Sequence, residues 1–300
     1  MSKTKLCLNG VFPPIPTPFD TRGEVHSRAL MDNVERWNRH ALAGYVALGS
    51  NGEAAYLSWD EKLGILETVR NHTPADKLVI AGTGLESTRE TIAFTLAAAK
   101  TGVDAALVLT PHYFDAKMTH DSLVRHFQTV ADASPIPVIL YSVPKFTHVD
   151  LDAAAISRLA EHPNIIGVKD SGGNIAKIAD IVHQTPSDFQ VLAGSASFFF
   201  AALVLGATGG VLALANIAPE ACIAILQDFQ TKAWDRAADL QRQMIPVNAS
   251  VTATYGIAGL KCALDLLGYD GGPVRSPLLP LSASDCEKLK AILKDGGLLS

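Results

Sequence analysis

One lysine, Lys169, ends an apolar run at residues 165–168 and is followed by a polar, glycine-rich stretch at 170–173. The pattern indicates a buried strand that leads into a loop. Burial disfavours the charged form of an ammonium group, so we expect Lys169 to be neutral part of the time and nucleophilic toward ketones. Taken alone, a strand-end lysine more commonly extends its ammonium to water or pairs with a neighbour such as Asp170.

Polar residues after other apolar runs favour chemistry at Lys169. Ser50 and Asn51 lie in a Gly-Ser-Asn-Gly-Glu turn, Tyr113 follows the fourth run, and Tyr141 ends the fifth. A lysine that condenses with a keto acid, a phenol that moves protons, and N–H and hydroxyl groups that bind a carboxylate are the parts of a Schiff-base aldolase. Each part alone also has an explanation without function: the Ser-Asn-Gly sequence is common in tight turns, and either tyrosine can serve only to pack against its neighbours.

The elements that position these residues are eight short, β-prone apolar runs separated by stretches with helical spacing. The runs span residues 11–16, 45–48, 78–81, 105–109, 137–141, 165–169, 189–193 and 210–214. Capping-box patterns at Ser58 and Ser87 mark two helix starts. Continuous apolar strands alternating with helices predict an α/β fold with a parallel sheet covered on both faces.

Eight such units predict a closed (β/α)8 barrel, in which the active site lies at the carboxyl ends of the strands. An open doubly wound sheet is the alternative, but no dinucleotide-type GxGxxG follows the first run. After Pro219 the remaining patterns are helical, with a capping box expected at Ser284. We therefore predict a catalytic barrel at residues 1–218 and a C-terminal helical domain at 219–300 that serves packing or assembly.

Composition excludes several function classes. The 300 residues carry a net charge of −5 and show no basic stripe, which argues against nucleic acid and anionic membranes as partners. We find no apolar stretch long enough to span a bilayer and no targeting segment, so we expect a cytoplasmic protein. The four cysteines are scattered, as is typical of ordinary thiols in a reducing compartment.

No metal site is expected. His112, His120 and His126 are close in sequence, but their spacings of eight and six residues match no helical or finger-type ligand pattern. We also expect no cofactor, because an iminium on Lys169 can itself accept the electrons of a cleaved bond.

With these motifs, the chain resembles the class I pyruvate aldolases of the dihydrodipicolinate synthase and N-acetylneuraminate lyase superfamily. The resemblance extends from Phe12 to Pro273 and rests on the Gly-x-x-Gly-Glu turn, the tyrosine before Val-Pro and the lysine after Gly-Val. It implies a (β/α)8 barrel with a C-terminal helical domain, a small-molecule 2-oxo acid substrate, and a homotetramer built from two tight dimers.

The resemblance also implies roles for individual residues. Lys169 would form the Schiff base, Tyr141 would shuttle protons together with Ser50, and Tyr113 would reach into the neighbouring subunit's site. The expected substrate-binding residues are Ser50, Asn51, Ser171, Gly194 and Leu212. Of these, Ser50 and Asn51 would bind the pyruvyl carboxylate, and Asn51 and Ser171 are candidates for the aldehyde half.

Two departures from the synthase pattern narrow the expected reaction. The synthases carry two threonines where this chain has Ser50 and Asn51, and an arginine for the distal carboxylate of the aldehyde where it has Phe146. A phenyl ring cannot make the bidentate contact of an arginine. The chain most resembles 4-hydroxy-2-oxoglutarate aldolase, which implies cleavage to pyruvate and glyoxylate. The alternatives are a 2-keto-3-deoxy sugar-acid aldolase or dehydratase, a 4-hydroxy-tetrahydrodipicolinate synthase, and a pyruvate-binding barrel without turnover.

Overall fold

A computed structural model describes residues 6–299 and contains one parallel sheet of eight strands. The strands are β1 Gly10–Phe12, β2 Gly44–Ala47, β3 Leu78–Gly82, β4 Ala105–Leu109, β5 Val138–Ser142, β6 Ile165–Asp170, β7 Gln190–Ala193 and β8 Gly209–Val211. Each predicted run contributes one strand. The first is shorter than predicted, because Pro13 and Pro14 follow it and have no N–H for a strand ladder.

The sheet closes into a barrel. Consecutive strands pair in parallel from β2 to β8, and β8 pairs with β1. Backbone bonds from Ile15 N to Val46 O and from Val46 N to Pro13 O, each 3.0 Å, join the end of the first strand to the second. The predicted (β/α)8 barrel is therefore confirmed.

Within residues 6–299, twelve α-helices surround the sheet or follow it. They are α1 Ser27–Trp37, α2 Trp59–His72, α3 Thr88–Ala99, α4 His120–Ala133, α5 Pro144–Thr147, α6 Ala153–Ala160, α7 Ile175–Gln184, α8 Phe199–Val204, α9 Pro219–Gln230, α10 Trp234–Ala249, α11 Gly256–Leu266 and α12 Ala283–Asp295. Ser58 forms the predicted capping box with Glu61, and the Ser87 side chain caps α3. The cap of α12 is Ser282 rather than the predicted Ser284.

Apolar side chains form two separate layers. A small cluster fills the barrel interior and includes Phe12, Ile80 and Ile139. A larger cluster lies between the outer face of the strands and the helices. Because the interior is packed, the space for a ligand lies above it, at the carboxyl ends of the strands.

The C-terminal helices contain irregular backbone that the helical pattern did not predict. The helix α10 continues through Pro246 into a π-helical turn at Ser250–Thr254, and α11 begins at Gly256 with a φ of 55°. Cys262 of α11 and Cys286 of α12 form a disulfide. The expectation of four ordinary thiols is thus wrong for these two, because packing of the two helices joins cysteines that are 24 residues apart in sequence.

Candidate active site

A cavity of about 800 Å³ lies at the carboxyl ends of the strands. Six of the predicted site residues line it: Ser50, Asn51, Tyr141, Lys169, Ser171 and Gly194. They follow or end β2, β5, β6 and β7. Barrel closure therefore gathers side chains that are widely separated in the chain around one space.

Lys169 lines this cavity and is only 3% exposed. It pairs in register with Tyr141 of the neighbouring strand, and its Nζ lies 3.9 Å from the centre of the Tyr141 ring. The ammonium group is therefore not extended to bulk water. It does not depend on Asp170 for charge compensation either, because the Oδ2 atom of that fully buried carboxylate lies 2.8 Å from Lys177 Nζ.

An irregularity in β6 turns Lys169 toward the cavity. Strict alternation would place residues 165 and 169 on the same face of the strand. However, Ile165 packs in the outer layer, whereas Lys169 lines the cavity. The pairing with β5 shifts by one residue between Val138 and Ile139, so that Ile165 and Gly167 face consecutive residues of the partner strand. The extra residue re-aims the end of the strand, as bulges near active sites do.

The pKa of Tyr141 is lowered from its ordinary value. Burial alone would raise this pKa, but the Lys169 ammonium and hydrogen bonds with Ser50, Lys169 and Ser171 stabilise the phenolate and outweigh it. A phenol in this environment gives up its proton more readily, which suits it to proton transfer next to an amine.

Glu53 stabilises the turn that carries Ser50 and Asn51. This residue has a φ of 53°, an uncommon conformation for a side chain other than glycine. Its Oε1 lies 2.6 Å from Lys261 Nζ, and its Oε2 accepts a 2.8 Å hydrogen bond from the backbone N–H of Arg275. Burial lowers the pKa of Lys261, and the Glu53 carboxylate opposes this effect. The turn that carries Ser50 and Asn51 is therefore anchored to α11 and to the segment that follows it.

Two predicted site residues do not line the cavity. The Leu212 side chain is fully buried in the outer apolar layer, and its neighbour Ala213 lines the cavity instead. Leu212 follows β8 with its side chain on the outer face, an orientation that its place in the sequence did not reveal. Tyr113 is 77% exposed and packs edge-on against Phe114. Its role in a neighbouring subunit's site stays a prediction.

One wall of the cavity combines Phe146, which the sequence comparison with the synthases singled out, with residues that it did not. Lys145 and Phe146 of α5 line it, together with Thr252 of the π-helical turn and Tyr255 just beyond that turn. The C-terminal helices, expected to serve packing or assembly, thus also shape the site. Pro246 and Gly256, a proline and a glycine within the helical pattern, are signals from which irregular backbone could have been predicted here, although the sequence analysis did not use them.

Within residues 6–299, no group of three or more His, Cys, Asp or Glu side chains is arranged to hold a metal ion. In the same part of the chain, no helix combines the length and apolar character needed to cross a membrane.

A family model described as "Dihydrodipicolinate synthetase family" matches residues 7–296. The chain belongs to this family. It is 36% identical over 285 residues to 4-hydroxy-tetrahydrodipicolinate synthase of Methanothrix thermoacetophila, with 95% of each chain covered. It is also 36% identical over 296 residues to the synthase of Neisseria meningitidis serogroup C, which covers 97% of this chain and 100% of that one.

Solved structures agree with this membership. A chloride-inhibited dihydrodipicolinate synthase from Acinetobacter baumannii, solved in complex with pyruvate, superposes with a TM-score of 0.92 at 33% identity, covering 97% of this chain and 99% of that one. The chain is thus an enzyme, a lyase of the pyruvate-dependent class I aldolase type. The relatives' names favour the synthase, one of the alternatives, over the 4-hydroxy-2-oxoglutarate aldolase expected from the sequence.

Proposed function

We propose that this enzyme is a Schiff-base aldolase that cleaves 4-hydroxy-2-oxoglutarate to pyruvate and glyoxylate. The observation that carries the proposal is the buried pair of Lys169 and Tyr141, with the Lys169 amine 3.9 Å from the ring centre and the phenol hydrogen-bonded with Ser50. This pair places a nucleophile beside a proton-transfer group, and the Ser50–Asn51 turn lies next to both.

In the proposed reaction, the Lys169 amine attacks the C2 ketone of the substrate and water leaves, which produces an iminium. Tyr141, relayed through Ser50, removes the proton of the C4 hydroxyl. The C3–C4 bond then breaks, its electrons move into the iminium to form an enamine, and glyoxylate leaves. Protonation of the enamine at C3 and addition of water release pyruvate and restore the amine. No cofactor beyond this Schiff base is proposed.

Two features of the site bear on the substrate. Ser50 and Asn51 line the cavity where the hydroxyl and backbone N–H groups of their turn can bind the C1 carboxylate. Asn51 and Ser171 are the residues we propose for the aldehyde half. Phe146 lines the same cavity and offers no charge to a distal carboxylate.

The synthase reaction is the second candidate, and it is favoured by the names of the relatives. It would use the same Lys169 enamine, but the enamine would attack an aldehyde instead of being formed by loss of one. Phe146, where the synthases carry an arginine, argues against it. A 2-keto-3-deoxy sugar acid is the third possible substrate class, because its neutral tail needs no arginine.

We also propose a homotetramer in which Tyr113 contributes to a neighbouring site. Support comes from the exposure of Tyr113 and of its neighbour Phe114 just beyond β4, since adjacent exposed aromatic rings suit an interface. The division into residues 1–218 and 219–300 remains a proposal, with α9 packed against β1 and linking the two parts. A cytoplasmic location is likewise proposed.

The decisive experiment compares three reactions catalysed by the purified enzyme. Pyruvate release is measured from 4-hydroxy-2-oxoglutarate and from a 2-keto-3-deoxy sugar acid, and pyruvate consumption is measured in the synthase reaction. We expect the first to be fastest and to disappear in Lys169→Ala. Borohydride with pyruvate should attach a reduced adduct to Lys169. Faster synthase or sugar-acid turnover would replace the proposed substrate, and an adduct on another residue would refute the assigned nucleophile.

A further inference from the structure

The charges that line the active-site cavity have one sign. Lys145 and Lys169 are the charged side chains among the described residues that line it, and no Asp, Glu, Arg or His does so there. The protein as a whole carries a net charge of −5. The cavity is therefore a local cationic site in an acidic molecule, which favours an anionic ligand.

Lys169 cannot supply the attraction for two anionic groups, because the proposed reaction uses its nitrogen to bond the substrate's C2 carbon. The C1 carboxylate, next to that carbon, is assigned to the turn at Ser50 and Asn51. A ligand with one carboxylate would thus leave Lys145 without an anionic partner. A second carboxylate, farther along the ligand, would match it.

Lys145 is positioned on the cavity wall by the π-helical turn. It lies in α5, and its Nζ donates a 3.1 Å hydrogen bond to the backbone carbonyl of Thr252. Within residues 6–299 none of the ion pairs includes Lys145. The side chain is thus ordered by a neutral acceptor, and a carboxylate could take the place of that carbonyl or share the ammonium with it.

The reach of the chain between the two lysines allows a short diacid to contact both. Lys145 follows Tyr141 by four residues, a segment that spans at most about 14 Å when fully extended. The α5 turn shortens that span, and a lysine side chain reaches roughly 6 Å from its Cα. A five-carbon 2-oxo acid is about 6 Å long. A molecule bonded to Lys169 can therefore extend its far end toward Lys145 within the same cavity.

We infer that Lys145 binds the distal carboxylate of a dicarboxylic 2-oxo acid and is the residue that selects such substrates over those with a neutral tail. This inference rests on the proposed Schiff-base function. It gives Lys145 the task that the phenyl ring of Phe146 cannot perform, from the adjacent position in the chain. The Phe146 ring, 5.6 Å from Lys145 Nζ, flanks the ammonium group.

The test uses two ligands of equal chain length, 2-oxoglutarate and 2-oxopentanoate, neither of which can be cleaved by the enzyme. At C5 the first carries a carboxylate and the second a methyl group. Each is titrated into borohydride trapping of Lys169, and the concentration for half-maximal trapping is compared within each variant. The ratio of the two half-maximal concentrations, one for each ligand, cancels any general loss of reactivity in a variant. The variants are Lys145→Met, Lys145→Arg and, as a matched exposed control outside the cavity, Lys100→Met.

We expect the wild type to favour 2-oxoglutarate by about tenfold, the effect of one charge-assisted hydrogen bond at a solvent-accessible position. Lys145→Met should bring the ratio to within about twofold of unity, and Lys145→Arg and Lys100→Met should retain it. The wild-type preference should also weaken with added salt.

Three results would overturn the inference: a wild type without preference, a Lys145→Met variant that keeps the preference, or a Lys100→Met variant that loses it. Failure of the proposed function looks different, because pyruvate then gives no adduct on Lys169. In that case calorimetric titration of wild type and Lys145→Met with the same two ligands still decides whether Lys145 recognises the distal carboxylate.

Discussion

Replacing Lys261 with methionine tests whether the C-terminal helices hold the turn that carries Ser50 and Asn51. Lys261 Nζ lies 2.6 Å from Glu53 Oε1, and the two residues are 1% and 2% exposed. Water therefore cannot take the place of the ammonium when it is removed. Breaking a buried ion pair in this way lowers the free energy of unfolding by about 3–5 kcal/mol.

We expect the lower end of that range, about 3 kcal/mol. The Glu53 carboxylate keeps its hydrogen bond from the backbone N–H of Arg275 at 2.8 Å, so it is not left entirely without partners. In a chain of 300 residues, such a loss corresponds to a decrease in melting temperature of roughly 5 °C. Circular dichroism melts of wild type and Lys261→Met measure it directly.

The matched control is the double variant Glu53→Gln/Lys261→Met, in which no buried charge remains unpaired. It should recover more than half of the lost melting temperature, because most of the cost of the single variant is the isolated carboxylate. Lys261→Met should also require more pyruvate for half-maximal borohydride trapping, since the turn at Ser50 loses its anchor. A decrease below about 2 °C, or a double variant less stable than the single one, would refute this reasoning.

Three further predictions concern proton transfer and pH. Tyr141→Phe should lower kcat by about 10²–10⁴ while borohydride trapping at Lys169 persists; unchanged kcat in steady-state assays would make the phenol a packing group. Ser50→Ala should raise the pKa of Tyr141, because a hydrogen bond with Ser50 helps to lower it. The Tyr141-dependent limb of the pH–rate profile should then move to higher pH, and Ser50→Thr is the control that keeps the hydroxyl. A hydrogen bond from Arg275 lowers the pKa of Glu61 to about 2. Since the unfolded value is near 4.5, the stabilisation is complete above that pH and is lost as pH falls toward 2. The difference in melting temperature between wild type and Glu61→Gln should therefore shrink between pH 5 and pH 3, and a constant difference would contradict the role of this pair.

Local patterns predicted most of the fold. The alternation of apolar runs with helical spacing indicated eight strands and a barrel, and the side-chain caps at Ser58 and Ser87 lie where the sequence placed them. These features depend on residues within a few positions of each other, which periodicity and capping rules describe. The same rules did not foresee the passage of α10 through Pro246 or its π-helical end, because tertiary packing overrides local preference there.

Local patterns also identified six of the residues that line the cavity, since polar groups after consecutive barrel strands must meet at one end. They did not reveal that the Leu212 side chain points to the outer layer. Side chains alternate between the two faces of a strand, so a shift of one residue moves a side chain from the inner face to the outer face. The pairing register, which decides this shift, cannot be read from the sequence.

The sequence by itself determined the barrel, the end of the barrel at which the cavity lies, and the lysine and tyrosine that line it. Only the tertiary structure decided that Lys169 faces the cavity, through the register shift between β5 and β6. It also joined Lys145 to Thr252, 107 residues away, and Arg275 to Glu53, 222 residues away. The physical reason is that strand and helix patterns arise from neighbours in the chain, whereas a side chain's direction and its distant partners are set by how the finished elements pack.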